Sequence, residues 1–162
     1  MNAPSNNEWG PALWRLLHTL SLRIGTVSYN SNWQSANHIV NEEKRLWYGL
    51  LNCLKFSLPC PLCKKHYIAY FNSNPITLAN INLSYIAEWI FNLHNAVNIR
   101  NNAGAITIDK LPIIYSDASN LRYFYNILHI HLKRAITLQW ISRDDCNKLL
   151  RFLTELLIFY SI

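Results

Sequence analysis

Residues 60–67 read Cys-Pro-Leu-Cys-Lys-Lys-His-Tyr, which sets Cys60 and Cys63 one helical turn apart and His66 a further turn on. Zinc binding is one chemistry open to such a segment. A closed structural zinc site takes four ligands, whereas Cys60, Cys63 and His66 supply three, and no second C-x-x-C or H-x-x-x-H pair accompanies them. Disulfide exchange is the other, and it needs only two sulfurs and surroundings that favour thiolate. Pro59 ends the preceding segment and Pro61 suits a first helical position, so Cys60 is expected at or beside an N-cap and Cys63 in the first turn. Unpaired amides and the helix dipole there favour thiolate over thiol, and Lys64, Lys65 and His66 add positive charge nearby. Cys53 and Cys146, the only other cysteines, read as buried apolar residues, with a second shuttle pair as the alternative. Four unevenly spaced cysteines do not make the disulfide framework of a small secreted domain.

A thioredoxin-like fold would place a C-x-x-C after a strand, but the upstream run "NEEKRLWYGLLNCLKFSL" has helical periodicity. The whole chain follows suit. With only four glycines and six prolines in 162 residues, and with Leu, Ile and aromatics recurring at three-to-four-residue spacing, the expected class is all-α. Helices are expected over about 8–23, capped by Asn6 or Asn7, then 33–56, 61–71 and 84–99, with a polar loop "GTVSYNSN" after the first. "NNAGAITIDKLP" breaks the pattern. A fifth helix, capped by Ser116 or Asp117, reaches about Leu138, and Ser142 with Asp145 resembles a capping box opening a sixth. The expected organisation is a four-helix bundle, residues 1–114, with a two-helix extension, 115–162, packed on that core or forming an interface through Leu149, Phe152, Leu153, Leu156 and Phe159.

The formal charge of +6 is spread over pairs such as Lys44-Arg45, Lys64-Lys65 and Lys133-Arg134, with no basic run, so nucleic acid is not the expected partner. The polar N-terminus lacks a basic stretch followed by an apolar one, so no signal peptide is expected, and "FLTELLIFYSI" is too short to span a bilayer. Two further clusters break the apolar pattern. Trp14 and His18 lie four apart on the first helix, and His94, Asn95 and Asn98 lie within one turn of the fourth. Imidazoles and amides on apolar helices are costly to bury unless they bond each other, face water or hold a ligand.

Taken in order, W-G-x-x-x-W-x-x-L-H-T, C-P-x-C-x-x-H-Y and W-x-x-x-x-H-N-x-V-N resemble the Erv/ALR family of FAD-linked sulfhydryl oxidases, over about residues 9–110, and look most like forms encoded by large DNA viruses. The resemblance implies FAD within the four-helix bundle, Cys63 as the cysteine beside the flavin and Cys60 as the sulfur attacked by incoming thiols. It implies cofactor contacts from Gly10, Trp14 and His18, from Tyr67 at the end of the cysteine motif, from His94, Asn95 and Asn98, and from Tyr115. It further implies protein dithiol clients, with a thioredoxin-like intermediate as one form of client, dioxygen as acceptor, a homodimer through the first two helices, and a place in the infected cell's cytoplasm and in the virion. Two features of cellular members are missing. Phe91 stands where they carry a structural cysteine, and the lysine usual after V-N is absent, which leaves Arg100 or Lys110 to face the cofactor's pyrophosphate.

Overall fold

The computed structural model describes residues 2–162 and forms helices throughout, with no strand among the described residues. The bundle comprises α1 (Asn6–Ser21), α3 (Trp33–Ser57), α4 (Pro61–Ser73) and α5 (Leu83–Arg100), and two long helices follow, α7 (Leu121–Thr137) and α8 (Arg143–Phe159). Two short helices lie between these. α2 (Thr26–Tyr29) replaces the expected polar loop, and α6 (Leu111–Tyr115) follows a 3-10 turn at Ile108–Lys110 within the "NNAGAITIDKLP" break.

Side-chain capping fixes the start of several long helices. Asn32, Asn82 and Ser142 are N-caps whose side chains accept the backbone N–H of Ser35, Ser84 and Asp145 respectively. The first helix departs from expectation: Ser5 occupies the N-cap, and Asn6 is already helical because its amide oxygen instead accepts the Trp9 indole N–H at 2.9 Å. The fifth long helix also starts later than Ser116 or Asp117, with Asn120 as N-cap, because residues up to Tyr115 are taken by α6.

α7 packs along α1 and α8 along α3, so the extension lies on the bundle of its own chain. Leu149, Leu153 and Leu156 are wholly buried, and Phe152 lies over Gly49, where a Cβ would come within 2.2 Å of its ring. These residues are core contacts within the chain. α1 is consequently clamped between α5 and α7, and everything from Leu16 to Ser21 is buried, including His18 and Thr19. Each of its buried leucines stabilises the fold by roughly 1.5–3 kcal/mol relative to exposure. At the far end, the Tyr160 hydroxyl donates to Glu43 Oε1 at 2.6 Å and accepts the Trp47 indole N–H at 2.9 Å, while Gly25 N–H donates to the same carboxylate oxygen. Glu43 is fully buried and its Oε2 has no partner, so this network ties α8 to α3 and to the start of α2. No helix among the described residues is long and apolar enough to cross a membrane.

Candidate functional site

Cys60 is the N-cap of α4 and Pro61 its first residue. Cys60 and Cys63 are joined as a disulfide with Cα atoms 5.2 Å apart, and Cys63 N–H donates to Cys60 Sγ at 3.1 Å. That amide is one of the unpaired donors at a helix start, so negative charge on the Cys60 sulfur is stabilised in place. The Asn6 amide, brought over by the first turn of α1, points a second donor at the same sulfur from 4.0 Å. The expected contribution of the lysines is not seen: Lys64 donates to the Trp140 carbonyl and Lys65 lies on the same outer face of α4, away from the sulfurs. His66 does share the sulfurs' side of the helix, but burial, then the charges of Arg100 and Lys65, hold its pKa below the ordinary value.

The disulfide opens onto a cavity of about 860 Å³ lined by all four bundle helices. α1 supplies Asn6, Gly10 and Trp14, and α4 supplies Cys60, Cys63 and Tyr67. The floor near the disulfide is apolar, from Leu54 of α3, Leu58 just after that helix and Leu93 of α5. α5 also supplies His94, Asn98 and Arg100, with Asn101 just beyond its end. A Cβ at Gly10 would meet nothing within 4 Å, so open space fronts that backbone. Tyr67 is fixed by its hydroxyl, which donates to the Leu51 carbonyl at 2.6 Å.

Trp14 and His94 stack face to face, with ring centroids 4.1 Å apart and planes within 9° of parallel. Behind them His18 Nε2 and His94 Nδ1 are 2.9 Å apart and share one hydrogen. His18 Nδ1 is buried without a partner, and an orphaned N–H costs more than an orphaned lone pair; the hydrogen therefore belongs to His18 Nε2, which donates to His94 Nδ1. His94 then carries its own hydrogen on Nε2, the nitrogen without a protein partner, on the residue that lines the cavity. Both imidazoles are held neutral, His18 down to about 3 by burial and then the neighbouring His94, and His94 down to about 4 by burial.

The cavity thus brings together Gly10, Trp14, Cys60, Cys63, Tyr67, His94 and Asn98 from the expected set, but not the other three. His18 stands one layer back and sets the orientation of His94. Tyr115 stacks on the far side of His18 with ring centroids 4.5 Å apart, under the Arg15 guanidinium. Asn95 faces the loop after α5, where its amide both donates to and accepts from the Ile106 backbone at 3.0 Å. Arg100 lines the cavity, whereas Lys110 does not. Asn6 is expected from sequence only as a helix cap, and Asn101 carries no expectation. Their placement depends on where α1 begins and on how the chain leaves α5, and neither carries a motif of its own.

Cys53 and Cys146 are buried and free, and burial pushes the Cys53 thiol up to about 12. Among the described residues no three His, Cys, Asp or Glu side chains converge on a point that would hold a metal ion, and the Cys60 and Cys63 sulfurs are bonded to each other. The zinc alternative has no support in this geometry.

Comparison with known proteins agrees with the arrangement. The chain is similar to the FAD-linked sulfhydryl oxidases of two African swine fever virus isolates, Pig/Kenya/KEN-50/1950 and Tick/Malawi/Lil 20-1/1983, each 32% identical over 111 residues, or 68% of this chain and 82% of the relative. It is also 26% identical over 95 residues to a protein of Acanthamoeba polyphaga mimivirus named "Probable FAD-linked sulfhydryl oxidase", covering 58% of this chain and 59% of that one. No solved structure matches it. The family model for Erv1 / Alr matches residues 11–115, which run from the first turns of α1 through the redox pair and the His94 helix to Tyr115, and the chain belongs to the Erv1 / Alr family.

Proposed function

We propose that this chain is an FAD-linked sulfhydryl oxidase that introduces disulfides into protein dithiols, with Cys60 and Cys63 as its redox pair. The observation that carries this reading is the opening of the Cys60–Cys63 disulfide onto a cavity with an apolar floor, a stacked Trp14–His94 pair and one cation. Its volume falls within the range of about 300–1,000 Å³ common for ligand and cofactor sites. The donor set fits FAD: the Trp14–His94 stack offers an aromatic face to a flat ring, Arg100 offers charge to a pyrophosphate, and His94 Nε2 and the amides of Asn98 and Asn101 offer polar contacts. Leu54, Leu58 and Leu93 exclude water beside the disulfide. Bound there, FAD would supply the two-electron acceptor chemistry that passes electrons on to dioxygen and yields hydrogen peroxide.

The chain's own part is thiol–disulfide exchange. A client thiolate attacks Cys60 Sγ, an S–S bond forms to the client, and the Cys60–Cys63 bond breaks with Cys63 leaving as thiolate. The client's second thiolate then attacks its own sulfur in the mixed disulfide, so the client leaves oxidised and Cys60 leaves as thiolate. The Cys63 N–H, with Asn6 beside it, stabilises that leaving charge. Cys63, in the first turn of α4, is the donor to the cofactor. The net change is one dithiol oxidised to a disulfide and one dioxygen reduced to peroxide.

Clients in this reading are protein dithiols, with a thioredoxin-like protein as one form, and the viral relatives support a setting in an infected cell. The implied homodimer through the first two helices would use faces of α1 and α3 that α7 and α8 leave uncovered. Oxygen uptake with reduced dithiothreitol tests the assignment. Wild type consumes oxygen and forms peroxide, and Cys63→Ser does neither while retaining flavin; full oxygen uptake by Cys63→Ser would refute the role given to that sulfur.

A further inference from the structure

The N-terminal half of α4 separates two concavities. Cys60, Cys63, His66 and Tyr67 face the cavity described above, whereas Pro61, Lys64, Lys65 and Ile68 face the opposite way, at the i, i+3, i+4, i+7 spacing of a single helical stripe. That second stripe forms one wall of a groove of about 700 Å³ whose other wall is the turn between α7 and α8. Ile136, Trp140 and Ile141 supply the apolar part of the second wall, and Phe56, more than half exposed, closes one end. The α7–α8 wall lies beyond the residues that match the family, 11–115, so this groove is built jointly by the family core and by the extension that follows it.

We propose that this groove docks the protein clients of the oxidase, taking an extended segment that carries an aromatic or aliphatic side chain flanked by carboxylates. The inference rests on the sulfhydryl oxidase reading and adds to it the client chemistry. Charge decides the flanking residues. Three lysines line the groove against a single acidic residue, Asp145, whose carboxylate already accepts the Ser142 hydroxyl at 2.6 Å. Two of the three are occupied, Lys64 by the Trp140 carbonyl and Lys55 by Asn52 Oδ1 and the Phe71 ring. Lys65 is exposed, and among the described residues no hydrogen bond or ion pair holds its ammonium. The apolar surface decides the anchor, since an exposed phenylalanine beside a half-buried tryptophan in a concave site gains most by burying a large apolar side chain. Position decides the purpose. Pro61 borders the groove and is bonded directly to Cys60, so the groove begins one residue along the chain from the sulfur that clients attack, and a client docked there rounds the start of α4 to reach it.

The test uses the full flavin-loaded protein and two fluorescein-labelled peptides in which serines stand in for the client cysteines. One carries Phe and Glu around the Ser-x-x-Ser segment, and the other has each Glu replaced by Lys. Anisotropy should show the Glu peptide binding more tightly than the Lys peptide, with the preference fading as salt rises. Lys65→Glu should remove about fivefold of that preference, and Phe56→Ala should weaken both peptides by about tenfold. Turnover of dithiothreitol should not change in either variant, because neither residue belongs to the redox or cofactor site. Equal binding of the two peptides, absence of binding, or variants indistinguishable from wild type would each overturn the docking site. Failure of wild type to oxidise dithiothreitol would instead refute the oxidase reading, and the peptide measurements would still judge the groove.

Discussion

Acidification should unfold this protein through the paired imidazoles of His18 and His94. In the folded state burial holds their pKa values to about 3 and about 4, whereas in the unfolded chain each returns to 6.5. Below pH 6.5 the unfolded chain therefore takes up protons that the native state refuses. Stability is complete above the unfolded value and is lost as the pH falls from there toward the folded values. At pH 5 each histidine stands 1.5 units below its unfolded pKa, worth about 2 kcal/mol at roughly 1.4 kcal/mol per unit, or about 4 kcal/mol for the pair. His131 adds to the same slope, because burial also lowers its pKa where it accepts the Ser5 N–H. Urea unfolding between pH 7.5 and pH 5 reads the effect: with a slope near 2 kcal/mol per molar, the midpoint should fall by about 2 M. His18→Leu should remove about half of the pH dependence. A midpoint that holds steady from pH 7.5 to 5, or a His18→Leu variant with the full wild-type slope, would refute the buried neutral pair.

Two further predictions concern the contact between the extension and the bundle. Tyr160→Phe removes the hydroxyl that satisfies Glu43 Oε1 and the Trp47 indole, and leaves a buried carboxylate with Gly25 N–H alone; it should cost about 1–3 kcal/mol, measured by urea unfolding. Gly49→Ala drives a methyl into the Phe152 ring and should cost about 1–3 kcal/mol by overpacking, with Phe152→Leu restoring most of the loss in a double-mutant comparison of melting temperatures.

Most of the redox end was legible in the sequence because local rules govern it. A proline on each side of Cys60 and the C-x-x-C spacing place one sulfur at an N-cap and the other in the first turn, whatever the rest of the chain does. The long helices followed from periodicity, and Ser142 with Asp145 marked the start of α8. What periodicity could not supply was depth. His18, Asn95 and Tyr115 share the motif pattern of the cavity residues, yet one stands behind His94, one bonds a loop backbone and one stacks on the back of His18. Which layer a polar residue occupies depends on helix rotation and on what packs behind it, here α6 and α7. The same holds for Leu149, Leu153 and Leu156, since an apolar stripe states that it is covered and not by what. Glu43 gave no signal at all, because its partner Tyr160 is 117 residues away and an acidic residue in "NEEKR" looks solvated.

The most direct test of the central claim is an anaerobic dithiol titration of the purified protein followed by visible absorption. The purified protein should be yellow, and its flavin absorption should bleach as dithiothreitol is added to wild type. It should persist in Cys63→Ser, which keeps the cavity but lacks the electron-donating sulfur. A colourless wild-type protein, or flavin absorption in wild type that does not respond to dithiol, would contradict the account.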